Sequence, residues 1–575
     1  AATIGALNVF TGGTDGDDSA VTHASNHTGA IVLDEQAGNN APVLTFDGNT
    51  TQTVTGDADG QAAGDGIISV AGTTALVYNG DIGNKATAIG DLRIASGASM
   101  TLTAVADTDG IALSAAESVN GRLDSDGSAG RGGTLTLVGE AGTGTDGNDD
   151  SQVSTIAGTV AMTAINVTGG AGFESASNAA GDNGGTSALT MSVASDITTL
   201  TVTGGAGADG FTNSSGDSGD GGAATSTNTL VLTATAVNVN GGLGGSGGAS
   251  VATSSGDGGI GGAATLELNQ ATGTAQAIGT LTITGADGGV GGTATANTGG
   301  AGAVGGAATA NIAGDITGNI VLNDGEAGAT PAALGGTAGN SASGGAAIVH
   351  FDGGTVQTVT GTITAAADDE GEIRLSGDSG ATADIVTFTG QVGSSTAKIK
   401  TLTSGVTTAQ TSSKFDSDVY AGVITHGLNQ NWAGDNAITM NFDGDVTFTT
   451  MTITGGSTAG GEDAVVTAAK DLTGTSITLT EGTSGQASLT LDGATAQTVT
   501  AEIISSAADK GTLTVNNDAT FSANIGNNGG NELLLITVAT GKTMTLSGAR
   551  TVGADSFDLD GTAGLTLKDT LTLDV

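Results

Sequence analysis

The chain has 575 residues, 103 of them glycine, with 2 prolines, 1 tryptophan and no cysteine, and its 58 acidic against 13 basic side chains leave a net charge of −45. So few Lys and Arg exclude nucleic-acid binding and adsorption to an anionic bilayer, the missing cysteines exclude a disulfide framework, and no apolar run is long enough for a membrane-spanning helix. Self-repulsion on this scale requires cations to screen or bridge it, which points to Ca²⁺ or high salt.

The first residues, AATIGALNVF, read as a mature end left after removal of a signal peptide. With the absence of cysteine, they make an exported, extracellular protein the expectation. Region 1–160 is an N-terminal β-repeat region with two related Asp-rich turns, TDGDDS at 14–19 and TDGNDDS at 145–151. Calcium takes six to eight oxygens from carboxylates and backbone carbonyls. Asp15, Asp17 and Asp18 in the first turn, and Asp146, Asp149 and Asp150 in the second, are therefore candidate ligands. Asp-Gly is also ordinary turn chemistry. His23 and His27 lie four apart with no helix to align them and read as loop residues. The best helix signal is IALSAAESV at 111–119, enough for one or two turns.

Region 161–350 repeats. Alternating apolar and Thr/Asn residues run into glycine at INVTGG (165–170), LTVTGG (200–205), VNVNGG (237–242), LTITGADGG (281–289) and IVLNDG (320–325). A second element begins at Gly184, Gly221, Gly261, Gly305 and Gly344, at intervals of 37, 40, 44 and 39 residues. Each of the five units predicts a strand, a Gly/Ser/Asp excursion and a returning strand, since the period-2 alternation is that of half-buried strands. The stretch Gly256–Gly261 satisfies G-x-G-x-x-G, but it runs into a strand and recurs in every unit, unlike a phosphate loop. Glycine here is expected to supply positive φ and to let backbones approach closely. GGAGADGF at 204–211 fits the calcium nonapeptide pattern, so Asp209 joins the candidate ligands, as do Asp217, Asp220 and Asp257 in the same excursions. The TVT and TIT segments at 201–203 and 282–284 suggest flat threonine arrays of the kind that order ice, although β-propensity on a solvent face accounts for them.

Region 351–575 is a C-terminal β-repeat region. FDGGTVQTVT at 351–360 and LDGATAQTVT at 491–500 match FDGNTTQTVT at 46–55, giving [F/L]-D-G-x-T-x-Q-T-V-T. A marker follows each copy: Ile82-Gly83, Val392-Gly393 and Ile525-Gly526. Segment 412–440 breaks the rhythm and gathers Phe415, Tyr420, His426 and Trp432, which reads as an aromatic-containing insertion or contact surface.

A 40-residue unit of short strands cannot bury its apolar row alone, but stacked on like neighbours it can. The expected fold is all-β, a parallel β-solenoid of stacked strand repeats with Gly-rich loops, with tandem β-sandwich domains as the alternative. Apolar residues that keep register over five units argue against disorder, although Ile, Leu, Val and Phe make up only roughly one residue in five.

The Thr/Gly/Ala/Asp-rich, cysteine-free, acidic composition resembles bacterial surface-layer proteins. The [F/L]-D-G-x-T-x-Q-T-V-T copies are similar to β-strand repeats of those proteins and of secreted adhesins and autotransporter passengers. The resemblance implies a calcium-dependent, self-assembling coat or fibre outside the cell, its partners being copies of itself and a cell-surface polysaccharide. No H-E-x-x-H motif or cysteine nucleophile is present, which points away from an enzyme. The expected function is a structural protein that self-assembles into a surface layer, sheath or filament. The alternative is an adhesin or passenger-like stalk binding a host surface or glycan.

Overall fold

The computed structural model describes residues 6–574 except 11–19, 35–41, 49, 62–64, 84–88, 96–97, 104–111, 114–121, 125–131, 140, 142–151, 157–159, 174–181, 193, 211–217, 250–255, 269–274, 296–297, 330–339, 353–355, 377–383, 406–410, 428–436, 457–462, 483–484, 527–529 and 568–570. The described residues form 47 strands and no helix. The chain divides into two compact units. The first comprises Ala1–Ala271, Gln276–Asn311 and Asp324–Ala347; the second comprises Thr272–Ala275, Ile312–Asn323 and Ile348–Val575. The fold is the parallel β-solenoid: strands pair in parallel with strands one coil further along the chain, as Leu200↔Val237 and Leu489↔Leu513 do.

In the glycine-rich part of the first unit each coil supplies a nine-residue and a five-residue strand. Val160–Thr168 pairs with Ser195–Thr203, that with Leu232–Asn240, and that with Gln276–Thr284. Thr163, Thr198, Thr235 and Gly279 drop out of the register, so each long strand serves two faces. The short strands Ser187–Met191, Ala224–Asn228 and Ala264–Leu268 form the third ladder. Alternation places Ile165, Leu200, Val237 and Leu281 on successive rungs, all fully buried. Each such side chain contributes roughly 1.5–3 kcal/mol by leaving water. The slender interior therefore needs few aromatics.

Coil length changes while register holds. Thr51 to Ala75 and Ala75 to Ser99 are steps of 24 residues, whereas Ala236 to Thr280 is a step of 44. The extra residues are the glycine-rich excursions. One register also runs past residue 160, since Ala164 pairs with both Thr134 and Thr199. Ala112–Leu113 is a strand, not a helix, and the remainder of the expected helix lies outside the described residues.

In the second unit the described part of 412–440 corrects the expected insertion. Thr411–Phe415, Val419–His426 and Ile438–Phe442 are regular rungs, with Phe388↔Phe415↔Phe442 in register. Phe351, Phe388, Phe415 and Phe442 form an internal ladder with ring centroids 5.3, 4.8 and 5.1 Å apart. Trp432 lies outside the described residues.

His426 is fully buried, its Nε2 lying 3.2 Å from the Ile438 carbonyl oxygen. Burial pushes its pKa down to about 4, against a smaller upward pull from that carbonyl. The folded unit therefore holds a neutral imidazole, while the unfolded chain takes up a proton below about pH 6.5. The stability this group contributes at neutral pH is lost as pH falls from about 6.5 towards 4, roughly 3 kcal/mol in all. Urea unfolding at pH 7 and pH 4.5 should show a larger acid loss for the wild type than for His426→Gln. Equal losses would contradict the assignment.

The internal motif copies follow from one buried side chain. Gln497 Nε2 donates to the carbonyls of Ala468 and Lys470, both at 2.9 Å, and its Oε1 accepts from Gly493 N at 2.9 Å. Gln52 bonds His23 O, Ser25 O and Gly48 N in the same way, and Gln357 Nε2 bonds Ile312 O and Gly314 O. Each Gln plugs the turn of the preceding coil, while Phe46, Phe351 and Leu491 fill the core beside it. The marker glycines Gly83, Gly393 and Gly526 share a left-handed conformation, φ 69°, 70° and 64°, beside buried Ile82, Val392 and Ile525. Only glycine adopts that region without strain.

Candidate functional site

The glycine-rich excursions are built layers. Outgoing legs donate to the next coil at every third residue: Gly204, Gly207 and Gly210 to the carbonyls of Asn240, Leu243 and Ser246, at 2.8, 2.8 and 2.6 Å. Gly241, Gly244 and Gly247 repeat this to Thr284, Asp287 and Val290. Returning legs do the same, Ser218, Gly221 and Ala224 donating to Asp257, Ile260 and Ala263. The two layers are joined by bonds such as Gly205 N to Gly222 O at 2.7 Å and Gly222 N to Gly170 O at 2.8 Å. A three-residue period bonded only to neighbouring legs is that of polyproline II, whose backbone makes no internal hydrogen bonds.

The period explains the composition. Two residues of each triplet face other legs; Ala208, Ala286 and Ala303 fill three of these places, and at the glycines a Cβ would stand inside a neighbouring backbone: at Gly242, 1.8 Å from the Gly205 carbonyl oxygen; at Gly261, 1.8 Å from that of Gly242. Neither of these glycines has positive φ. The expectation of close approach therefore holds here, and the expectation of left-handed backbone does not. The third residue of each triplet faces out and varies, as with Ala206, Leu243 and Asp287, or Ile260 and Val304.

Three of the aspartates expected as calcium ligands, Asp209, Asp220 and Asp257, occupy these outer positions. Asp209 Oδ1 accepts from Ser246 N at 2.7 Å, Asp220 Oδ1 from Ile260 N at 2.7 Å, and Asp257 Oδ1 from Ala301 N at 2.6 Å. Asp287 and Asn183 act likewise on Glu326 N and Asp220 N. The three are thus spread along the legs, each holding the outward amide of the next coil, and they do not converge. Asp15, Asp17, Asp18, Asp146, Asp149, Asp150 and Asp217 lie outside the described residues.

The second unit uses the same device at its corners. Asp418, Asp445 and Asp471 each accept from the amide one coil on, those of Asp445, Asp471 and Thr498, at 2.9, 3.2 and 2.7 Å. They line an open groove with Asp416, Asp443 and Lys470. Lys414 Nζ bridges Asp416 and Asp443, and those bonds raise its pKa. Among the described residues no three His, Asp or Glu side chains gather as a metal site.

Part of the acidity is thereby assigned a structural task. Asp220→Ala should cost about 1–2 kcal/mol, the value of a charge-assisted bond to a backbone amide, while Asp220→Asn should be nearly neutral because Asn183 fills the equivalent place. Thermal unfolding of the two variants checks this. Equal losses would mean that the charge matters, as a metal ligand requires.

Sequence reasoning found the excursions but not their period. The signal was available in the Gly-Gly-x triplets of 241–249 and 288–293. No protein-family model, curated protein or solved structure matches the chain.

Proposed function

We propose that the chain is an exported structural protein that self-assembles into an extracellular surface layer, sheath or filament, with Ca²⁺ bridging acidic side chains between copies. One observation carries this reading: a repetitive body, held rung by rung, presents carboxylates in rows. Asp418, Asp445 and Asp471 stand on successive rungs beside Asp416 and Asp443. In each of the first three, one oxygen accepts from a backbone amide, leaving the second for a cation or water. Rows of like charge keep copies apart until cations bridge them. Calcium favours such oxygen-only ligands.

Negative-stain microscopy of the purified chain with and without Ca²⁺ tests the reading. Ordered sheets or filaments that form with Ca²⁺ and dissolve in chelator are expected. Monodisperse single molecules under both conditions would overturn it.

A further inference from the structure

Eight strands of the first unit, from Thr51–Thr55 to Gln276–Thr284, stack in one unbroken register. Their alternate positions make three columns. The middle one reads Thr53, Val77, Thr101, Thr136, Asn166, Thr201, Asn238, Thr282. Of the 24 positions, 14 are threonine, 4 asparagine and none charged. The other faces of the same coils carry Asp196 and Glu267, and the glycine legs carry Asp209, Asp220, Asp257 and Asp287. β-Propensity accounts for threonine on a strand. It does not account for the absence of the charged residues that ordinarily keep exposed sheet surfaces soluble.

We propose that this face binds ice. Its repeats are about 4.8 Å between rungs and about 6.7 Å between alternate residues of a strand, both near oxygen repeats on the faces of hexagonal ice. Each threonine offers a hydroxyl that can join the water net and a methyl around which water orders. The array is fixed in advance. Buried Leu76, Met100, Leu135, Ile165, Leu200, Val237 and Leu281 lie under it, and Asn166 Nδ2 and Asn240 Nδ2 donate to Thr136 Oγ1 and Thr203 Oγ1 at 3.2 and 3.4 Å. Little ordering entropy is then left for binding to remove.

The observations favour ice over other occupants. A glycan would want an aromatic platform, and the columns contain none. A second copy would bring together two chains of net charge −45 across a face with no carboxylate for a cation to bridge. The stripe covers roughly 500 Å² at sheet spacings, short of the about 800 Å² per partner of a stable interface.

The inference stands apart from the assembly reading, because its readout is a single labelled chain at low concentration without Ca²⁺. Fluorescent wild-type chain should be taken up by a slowly growing ice hemisphere. Thr201→Tyr, which raises a ring above the plane, should fall to the uptake of an unrelated protein. Thr201→Val, which keeps the shape without the hydroxyl, should fall in between, and Thr225→Tyr on the neighbouring ladder should match wild type, with circular dichroism and melting unchanged in all. Exclusion of the wild type from ice, or undiminished uptake of Thr201→Tyr, overturns the proposal. So does a dimer, or binding to microcrystalline cellulose, that Thr201→Tyr abolishes while ice uptake is absent.

Discussion

Gly242→Ala is expected to destabilise the glycine layers far more than alanine at an open turn glycine. The new Cβ would stand 1.8 Å from the Gly205 carbonyl oxygen and 2.6 Å from its carbon. Those atoms are held in place, because Gly242 N itself donates to Gly262 O at 2.7 Å and Gly262 N donates back to Gly205 O at 2.7 Å; Ala286, the equivalent residue one coil on, shows that a methyl is taken only where the legs are already spaced for it. Relief requires separating legs that are bonded on several sides. Alanine restricts the unfolded chain and thereby gains about 0.4–1 kcal/mol, which is small beside a cost on the order of 4 kcal/mol or more for overpacked backbone. Gly541→Ala is the contrast. Gly541 has φ 75° and only Thr562 Oγ1, at 3.7 Å, near a Cβ. Its loss should be about 1–2 kcal/mol, the strain of left-handed backbone alone. Calorimetry of both variants, with limited proteolysis to locate the damage, separates the two kinds of glycine. Equal melting temperatures would show that the layers are not packed as described.

The second large effect is expected at Gln497. Leucine would fill much the same volume but leave two carbonyls and one amide, those of Ala468, Lys470 and Gly493, without their partner. Buried groups stranded in this way cost about 1–3 kcal/mol each. Partial access of water to a turn lowers the sum, so Gln497→Leu should lose roughly 3–5 kcal/mol in urea unfolding. A loss below about 1 kcal/mol would mean that water replaces the amide without penalty. The side chain that recurs with the motif is thus a structural plug, and its recurrence at Gln52 and Gln357 needs no ligand to explain it.

The solenoid was legible because burial is a period-2 property of the sequence. Leu200, Val202, Leu281 and Ile283 alternate with threonine, and alternation of that kind has few structural solutions. The segment around Phe415 was misread because a cluster of aromatics looks like a surface when seen one residue at a time. Its meaning emerges only when Phe388, Phe415 and Phe442 stand on successive rungs. The glycine layers were half legible. Close approach followed from the missing Cβ, but the direction of the third residue depends on neighbours about 40 residues away, such as Ile260 above Asp220. The aspartates show the same limit. Asp209, Asp220 and Asp257 carry identical chemistry whether they meet a cation or an amide, and only the position of the next coil decides between the two.

Residue-resolved amide hydrogen exchange of the intact chain tests most directly whether the glycine-rich excursions are built structure. The inward amides of Gly204, Gly205, Gly207, Gly241, Gly242 and Gly244 should be protected to the same degree as those of Leu200 and Val237 in the adjoining strands, because each is bonded to a neighbouring leg. Exchange of those six amides at the rate of an unstructured peptide, with the strands still protected, would contradict it.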